Sequence, residues 1–272
     1  MTTTENLEPT KRMSRDLLKA GTLLTTPEAR FLVDAYYAMQ KTRIAFGNQA
    51  TALAKSSEPH EILKWFQAES EALENQVKKA LDRYSTSTPV GRWTRDVRGI
   101  GPVIAAGLMA HIDIERAATA GAIWRFAGLD PTQKWEKGKK RPWNASLKVI
   151  CWKAGESFVK QSGHDECFYG KIYVERKKQE EAKNEALDFA DQAATTLEAK
   201  NIGKTTDAYK AYVAGRLPQA RIHARACRYA VKLFLSHYHE VAYRDHYGEA
   251  PPLPYPIAHL GHAHRIPANR SE

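Results

Sequence analysis

The sequence has few cysteines and no long hydrophobic run. Its 3 cysteines, Cys151, Cys167 and Cys227, stand far apart, which excludes a disulfide framework and the paired spacing of a zinc site. We therefore expect a reducing, cytoplasmic environment. No apolar stretch approaches the length of a bilayer-spanning helix, and the first residues lack the basic and apolar regions of a signal peptide. We expect no membrane role, no metal and no cofactor.

Acidic residues are scarce relative to basic ones. The 272 residues include 41 Lys and Arg against 31 Asp and Glu, a net charge of +10, in a composition that is otherwise ordinary for a globular protein. Such an excess favours a polyanionic partner. We expect nucleic acid, with duplex DNA before RNA.

Two long amphipathic helices are predicted near the beginning of the chain. Thr26-Pro27-Glu28 has the cap, proline and acidic first turn of a helix start, and Ser57-Glu58-Pro59 separates the first helix from the second. Apolar residues recur at alternating steps of four and three, which indicates an antiparallel coiled-coil hairpin. An exposed hairpin of this kind is compatible with a homodimer, and the sequence leaves the oligomeric state open. The predicted seams are Leu32, Tyr36, Met39, Arg43, Phe46, Ala50 and Leu53 on the first helix, and Ile62, Phe66, Glu69, Leu73, Val77, Ala80 and Tyr84 on the second.

Each predicted seam contains one charged residue. Arg43 and Glu69 lie at nearly equal distances from the turn, so we expect them to face each other and to specify the register. The alternative is that both side chains extend outward to solvent.

A glycine-rich turn between two short helices is the most specific local pattern. Residues 98–108 read Arg-Gly-Ile-Gly-Pro-Val-Ile-Ala-Ala-Gly-Leu, which predicts a helix through Arg98, a tight turn and a helix from Pro102 to about His111. In such a helix-hairpin-helix, the backbone amides of the new helix can hold a phosphate. The alternative is a plain turn in which glycine supplies only a positive φ. The candidate DNA-binding residues here are Arg95, Arg98, Gly99, Ile100 and Gly101.

A basic loop with tryptophans follows a second turn, Gly128-Leu129-Asp130-Pro131. Lysine and arginine interleaved with exposed tryptophan are typical of a surface that follows a nucleic-acid backbone. The alternative is a solvated loop whose tryptophans pack into the core. Asn144 is predicted to cap the next helix, which has an apolar stripe at Leu147, Cys151, Ala154 and Phe158. The candidate binding residues of the loop are Lys137, Lys139, Lys140, Arg141 and Trp143.

The last predicted helix, about Gln219 to Tyr247, carries a row of cations. Arg221, Arg225, Arg228 and Lys232 are spaced by four, three and four, next to an apolar side, which indicates phosphate contacts along a groove. The alternative is a row paired with acids of the segment before it. That segment, from Phe168 to about Lys200, is predicted to be a solvated helix of mixed charge.

Taken together, these motifs resemble one family. The Gly99-to-Leu108 turn, the Phe126-Ala127-Gly128-Leu129-Asp130-Pro131 turn, the basic loop and the capped helix are similar to the C-terminal domain of Piv-type insertion-sequence transposases, the IS-110/IS-116/IS-902 group. The resemblance covers about residues 30–160 and 218–248. It implies DNA binding in transposition or recombination.

The departures from this family bear on catalysis. Its members carry an N-terminal RuvC-like domain with an acidic DEDD metal site, and we expect no such domain before residue 27. The family's serine nucleophile has no counterpart in residues 132–141, which contain no serine. The nearest hydroxyls are those of Thr132, at the start of this stretch, and Ser146, just beyond it. We therefore assign no catalytic residue, and enzymatic activity stays undecided.

The sequence thus predicts an all-α protein with four segments. They are a flexible segment 1–26, the coiled-coil hairpin 27–87, a transposase-like helix-hairpin-helix domain 88–248 and an extended tail 249–272. The domain contains a charged insertion at about 163–216 that could bind a protein partner. The tail histidines His259, His262 and His264 are expected at the surface, a zinc site being the alternative. We expect a DNA-binding protein. The alternatives are an active recombinase subunit that needs a separate DEDD partner, and a helical scaffold.

Overall fold

The computed structural model describes residues 11–55, 61–253 and 266–268. These residues are helical and contain no strand. They divide into two compact units, Met1–Asp96 with Gly101–Asp113, and Val97–Ile100 with Ile114–Glu272. Within the described ranges, no helix combines the length and the apolar character needed to cross a bilayer. The predicted helix break at 57–59 and the histidines 259, 262 and 264 lie outside the described residues.

The first unit is built on a long helical hairpin. Its helices are α1 (Arg15–Ala20), α2 (Thr26–Leu53), α3 (Glu61–Ser85), α4 (Pro89–Asp96) and α5 (Pro102–His111). The cap of α2 is Thr25, one residue before the predicted Thr26, because Thr25 and Glu28 form a reciprocal capping box. Pairing of Arg43 with Glu74 and of Phe46 with Phe66 shows that α2 and α3 are antiparallel.

The charged pair inside this hairpin differs from the predicted one. Arg43 Nε donates to Glu74 Oε2 at 2.6 Å, and Glu74 is buried. The prediction that Glu69 pairs with Arg43 is wrong. Compared with the predicted seam, the buried face of α3 is shifted by about one residue, so that Glu74 and Leu81 are buried in place of Leu73 and Ala80.

Several apolar side chains of α3 are exposed, although Phe66 among them still stacks on Phe46 of α2. Ile62, Phe66 and Leu73 are exposed at 55%, 45% and 41%, although all three were predicted to lie in the seam. On α2, every predicted seam residue is buried or half-buried. Helix α5 packs against both α2 and α3 through small residues, and Arg30 Nε donates to the carbonyl of Ala110 at 2.6 Å.

The second unit is organised around one long helix. Its helices are α6 (Ala120–Phe126), α7 (Ala145–Lys160), α8 (Phe168–Glu185), α9 (Ala190–Ala199), α10 (Asp207–Val213) and α11 (Gln219–Tyr247). Helix α11 packs against α6, α7 and α8. The predicted cap Asn144 accepts a hydrogen bond from the Leu147 amide, and the predicted stripe of α7 is buried. The rings of Phe158 and Phe234 meet edge to face in this core.

The charged segment after residue 168 is not a single solvated helix. It breaks between α8 and α9 at Leu187, whose φ is 64°. Helix α8 buries Tyr169, Tyr173 and Glu180 against α11. The prediction failed because the five buried residues of α8, which include the charged Glu180, are outnumbered by exposed charged residues in the sequence.

The Arg43–Glu74 pair should stabilise the first unit. Burial raises the pKa of Glu74, but hydrogen bonds from Arg43 and Tyr36 and the charge of Arg43 outweigh it, so the pKa lies below the ordinary value. We expect Glu74→Gln to lower the free energy of unfolding by ~1–3 kcal/mol, measured by urea denaturation at neutral pH. Glu71→Gln, at an exposed position of α3, should change it by less than ~0.5 kcal/mol.

The same pair should make the stability depend on pH. A carboxyl group with a lowered pKa stabilises the folded state above its unfolded pKa, and that contribution is lost as the pH falls through the folded value. The difference between the wild type and Glu74→Gln should therefore shrink in acid. A difference that stays constant down to the acid transition would contradict this role for Glu74.

Candidate nucleic-acid interface

The two glycines of the helix-hairpin-helix turn differ in what they require. Gly99 has a φ of +98°, its carbonyl accepts from Ser157 Oγ, and an added Cβ would lie 3.3 Å from the Phe158 ring. Turn geometry alone explains this glycine. Gly101 has an extended φ of −86°, and an added Cβ would meet no described atom within 4 Å. Neither conformation nor packing explains Gly101.

The turn places its isoleucine inside and its arginines in different surroundings. Ile100 is 3% exposed. Arg95 lies at the end of α4 and pairs with Asp82 Oδ1 at 3.0 Å. Arg98 lies beyond α4, which ends at Asp96, and its Nε donates to Gln161 Oε1 at 3.3 Å. Part of the positive charge that was predicted to contact DNA at this turn is thus offset by Asp82.

The basic loop is closed at its base and exposed along its length. The Asn144 amide donates to the carbonyl of Phe126 at 2.8 Å, which brings the two ends of the loop together. Trp135 is exposed and donates through Nε1 to the Lys139 carbonyl. The Arg141 guanidinium lies 5.4 Å from the Trp135 ring centre. Lys137, Lys139 and Lys140 are exposed, and Lys139 pairs with Glu136.

The two tryptophans of the loop therefore behave differently. Trp143 is half-buried and packs over Gly128, where an added Cβ would lie 2.7 Å from Trp143 Cγ. Gly128 also has a φ of +65°. Trp135 agrees with the prediction of an exposed tryptophan in a binding loop, whereas Trp143 agrees with the alternative, in which the tryptophans of the loop pack into the core.

A lysine of α7 links the loop to the last helix. Lys148 Nζ lies 4.1 Å from the Trp143 ring centre. Its pKa is lowered by burial and by the nearby charges of Arg141 and Arg228. Lys232, 4.2 Å from the Trp124 ring centre, likewise has a pKa lowered by burial and by Arg228, against the raising effect of Asp130.

The structure thus brings together cations from three separate elements. We call Arg141, Lys148, Arg228 and Lys232 the cationic cluster. Burial is the larger cause of the lowered pKa of both Lys148 and Lys232, and repulsion by neighbouring arginines adds to it; Asp130 opposes the shift at Lys232. Sequence reasoning missed Lys148. The available signal was a single lysine among apolar residues in the first turn of a capped helix.

The other two arginines of the predicted row point elsewhere. Arg225 Nε pairs with the buried carboxylate of Glu180 at 2.5 Å, which Arg176 also contacts. Arg221 donates to the Tyr212 hydroxyl at 3.2 Å. Arg225 is therefore not an unpaired member of the row. It follows the alternative prediction, in which the cation pairs with an acid of the preceding charged segment. The sequence spacing could not reveal this because Glu180 reaches α11 from α8.

Of the two hydroxyls near the predicted nucleophile position, that of Thr132 is held by a local contact. Thr132 Oγ1 donates to Asp130 Oδ1 at 2.7 Å, which lowers the pKa of that carboxyl together with the Thr132 amide. Ser146 is half-buried in the first turn of α7. Among the described residues, no group of three or more His, Cys, Asp or Glu side chains could hold a metal ion.

The close packing of Gly128 against Trp143 can be tested with a matched glycine. Gly138, with a φ of +89°, has no described atom within 4 Å of an added Cβ. Both alanine substitutions incur the ~1–2 kcal/mol cost of a left-handed residue, but only Gly128→Ala also displaces the Trp143 ring. We expect Gly128→Ala to lower Tm more than Gly138→Ala. Equal melting shifts would show that the Trp143 contact contributes little.

Comparison with known proteins agrees with part of this picture. No curated protein and no solved structure matches the chain. The model of the transposase IS116/IS110/IS902 family matches residues 94–146. That range contains the helix-hairpin-helix turn, the Gly128-to-Pro131 turn, the basic loop and the Asn144 cap. Over residues 94–146, the chain is therefore similar to the transposase IS116/IS110/IS902 family.

Proposed function

We propose that the protein binds the phosphate backbone of duplex DNA in a process related to transposition. The observation that carries this proposal is that Lys148 and Arg228 line one cavity with the Gly128-to-Pro131 turn, while the charge of Arg141 acts on Lys148 and that of Arg228 acts on Lys232. The match of residues 94–146 to a transposase family supports the same conclusion and supplies the process.

The electrostatics of the cationic cluster favour an anionic ligand. Burial lowers the pKa values of Lys148 and Lys232, and the positive charges of neighbouring arginines lower them further. A phosphate would remove this repulsion, so binding and protonation should support each other. Exposed Lys137, Lys140 and Trp135 would extend the contact along the backbone.

The helix-hairpin-helix turn would supply a second phosphate contact. Gly101 has no side chain to cap the first turn of α5, and the space where its Cβ would stand is open. Backbone amides at the start of a ten-residue helix are suited to hold a phosphate oxygen. The Arg98 side chain is 45% exposed, but its guanidinium lies 3.9 Å from the Glu166 carboxylate, so part of its charge is already offset.

The scaffold alternative draws support from one ion pair. Arg225 is bound to Glu180 inside the second unit, so a stabilising role accounts for this residue without DNA. Charge reversal at Arg225 cannot decide between the functions, because it would bring two carboxylates together in a buried place. Arg228 and Lys148 are the informative positions. An active recombinase with a separate DEDD partner stays an alternative that no contact described above favours.

Binding to labelled duplex DNA across a salt series tests the proposal. Removing two phosphate contacts should reduce the slope of log affinity against log salt by about 2. We therefore expect Lys148→Gln/Arg228→Gln to bind at least about tenfold more weakly at low salt and to show that shallower slope. The substitutions remove the charge and leave a shorter, unbranched polar side chain at each position.

A second double variant controls for net charge alone. Lys171 and Lys178 are exposed on one side of α8, and Lys171→Gln/Lys178→Gln removes the same two charges. This control should keep most of the wild-type slope. No binding of the wild type at low salt, or equal effects of both double variants, would overturn the proposed site.

A further inference from the structure

A cavity adjoins the cationic cluster in the second unit. Its volume is about 430 Å³, and it lies between the Gly128-to-Pro131 turn, α7 and α11. Most of the lining is apolar, with Leu129, Trp152, Cys227 and Val231 among its walls. A volume in the range of ~300–1,000 Å³ with mainly apolar walls is typical of pockets for small organic groups.

The cysteines of this cavity do not give it a reactive character. Cys151 and Cys227 both line it, and burial raises the pKa of Cys151 to about 12 and that of Cys227 to about 11. Both thiols are thus protonated near neutral pH and form apolar wall.

Polar groups on the cavity wall match a flat, hydrogen-bonding ligand that is attached to an anion. Lys148 and Arg228 belong both to the cavity lining and to the cationic cluster. Glu156 Oε1 lies 3.8 Å from His223 Nε2, beyond hydrogen-bond length, so this carboxylate can accept from a ligand. His223 Nδ1 is held by the Tyr173 hydroxyl at 2.8 Å, which fixes the ring.

We propose that this cavity receives a single unstacked nucleobase of the nucleic acid whose phosphates contact Lys148 and Arg228. The inference rests on the proposed function and adds a second mode of contact to it. Trp152 is 60% exposed and offers an indole face for stacking at the cavity. The Glu156 carboxylate accepts from an exocyclic amino group, as carboxylates do with cytosine.

Unstacking a paired base is costly, so the cavity should favour a nucleotide that is already unpaired. The probes are three labelled duplexes of one sequence: fully paired, with one extra unpaired cytidine, and with one extra abasic nucleotide at the same place. The abasic duplex separates the base itself from the bend and flexibility that any bulge introduces. We expect the wild type to bind the cytidine bulge about tenfold more tightly than either other duplex.

Three variants assign this preference to the cavity. Trp152→Ala should lose the tenfold preference and keep salt-dependent binding to the paired duplex, whereas Trp152→Phe, which retains an aromatic face, should keep most of it. Val149→Ala, at an exposed position on the same helix, should behave as the wild type does. Circular dichroism would check that each variant is folded.

The outcomes separate this inference from the proposed function. If the wild type binds the cytidine and abasic bulges equally, the cavity does not take a base, while backbone binding stands. If Trp152→Ala weakens all three duplexes by the same factor, the inference is overturned in the same way. If the wild type binds none of them at low salt, both proposals fail.

Discussion

The packing of α11 against α6, α7 and α8 is the constraint on which the second unit depends. One helix has to bury Ile222, Ala226 and Phe234 and, at the same time, carry a row of cations. The result is a division along its length. Arg225 turns toward the buried Glu180 of α8, and Arg228 and Lys232 turn toward the side where α7 and the basic loop stand. Because α11 is held on several sides, the positions of these charges follow from apolar packing.

Local patterns predicted the helices well. The bounds of α5 and α11 and the Asn144 cap follow from glycine, proline and capping residues, which act within a few positions of the chain. The long hairpin was also predictable, because its seam on α2 has the correct period. Which side of α3 faces α2 was not predictable, since Glu74 in a buried position breaks the apolar pattern and depends on a partner 31 residues away.

Most residues of the candidate site were predictable from the sequence, but which of them lie close together was not. The basic loop and the cations of α11 were recognisable from charge and spacing, yet the residue that joins them, Lys148, carries no motif. The pairing of Arg225 with Glu180 was equally hidden, because Arg225 lies on α11 and Glu180 on α8, which are distant in sequence. Residues such as Arg95 and Arg225 show that a cation counted toward net charge can already have its partner inside the fold.

The closure of the basic loop by the Asn144 amide and the Phe126 carbonyl separates two roles in the chain. The helices on either side hold their positions through this contact and the Asn144 cap, whatever the residues between 132 and 141 are. The loop can therefore change in sequence and length while α6 and α7 keep their packing on α11. If the protein binds DNA as proposed, replacing this segment would change the contacts with DNA and have little effect on folding.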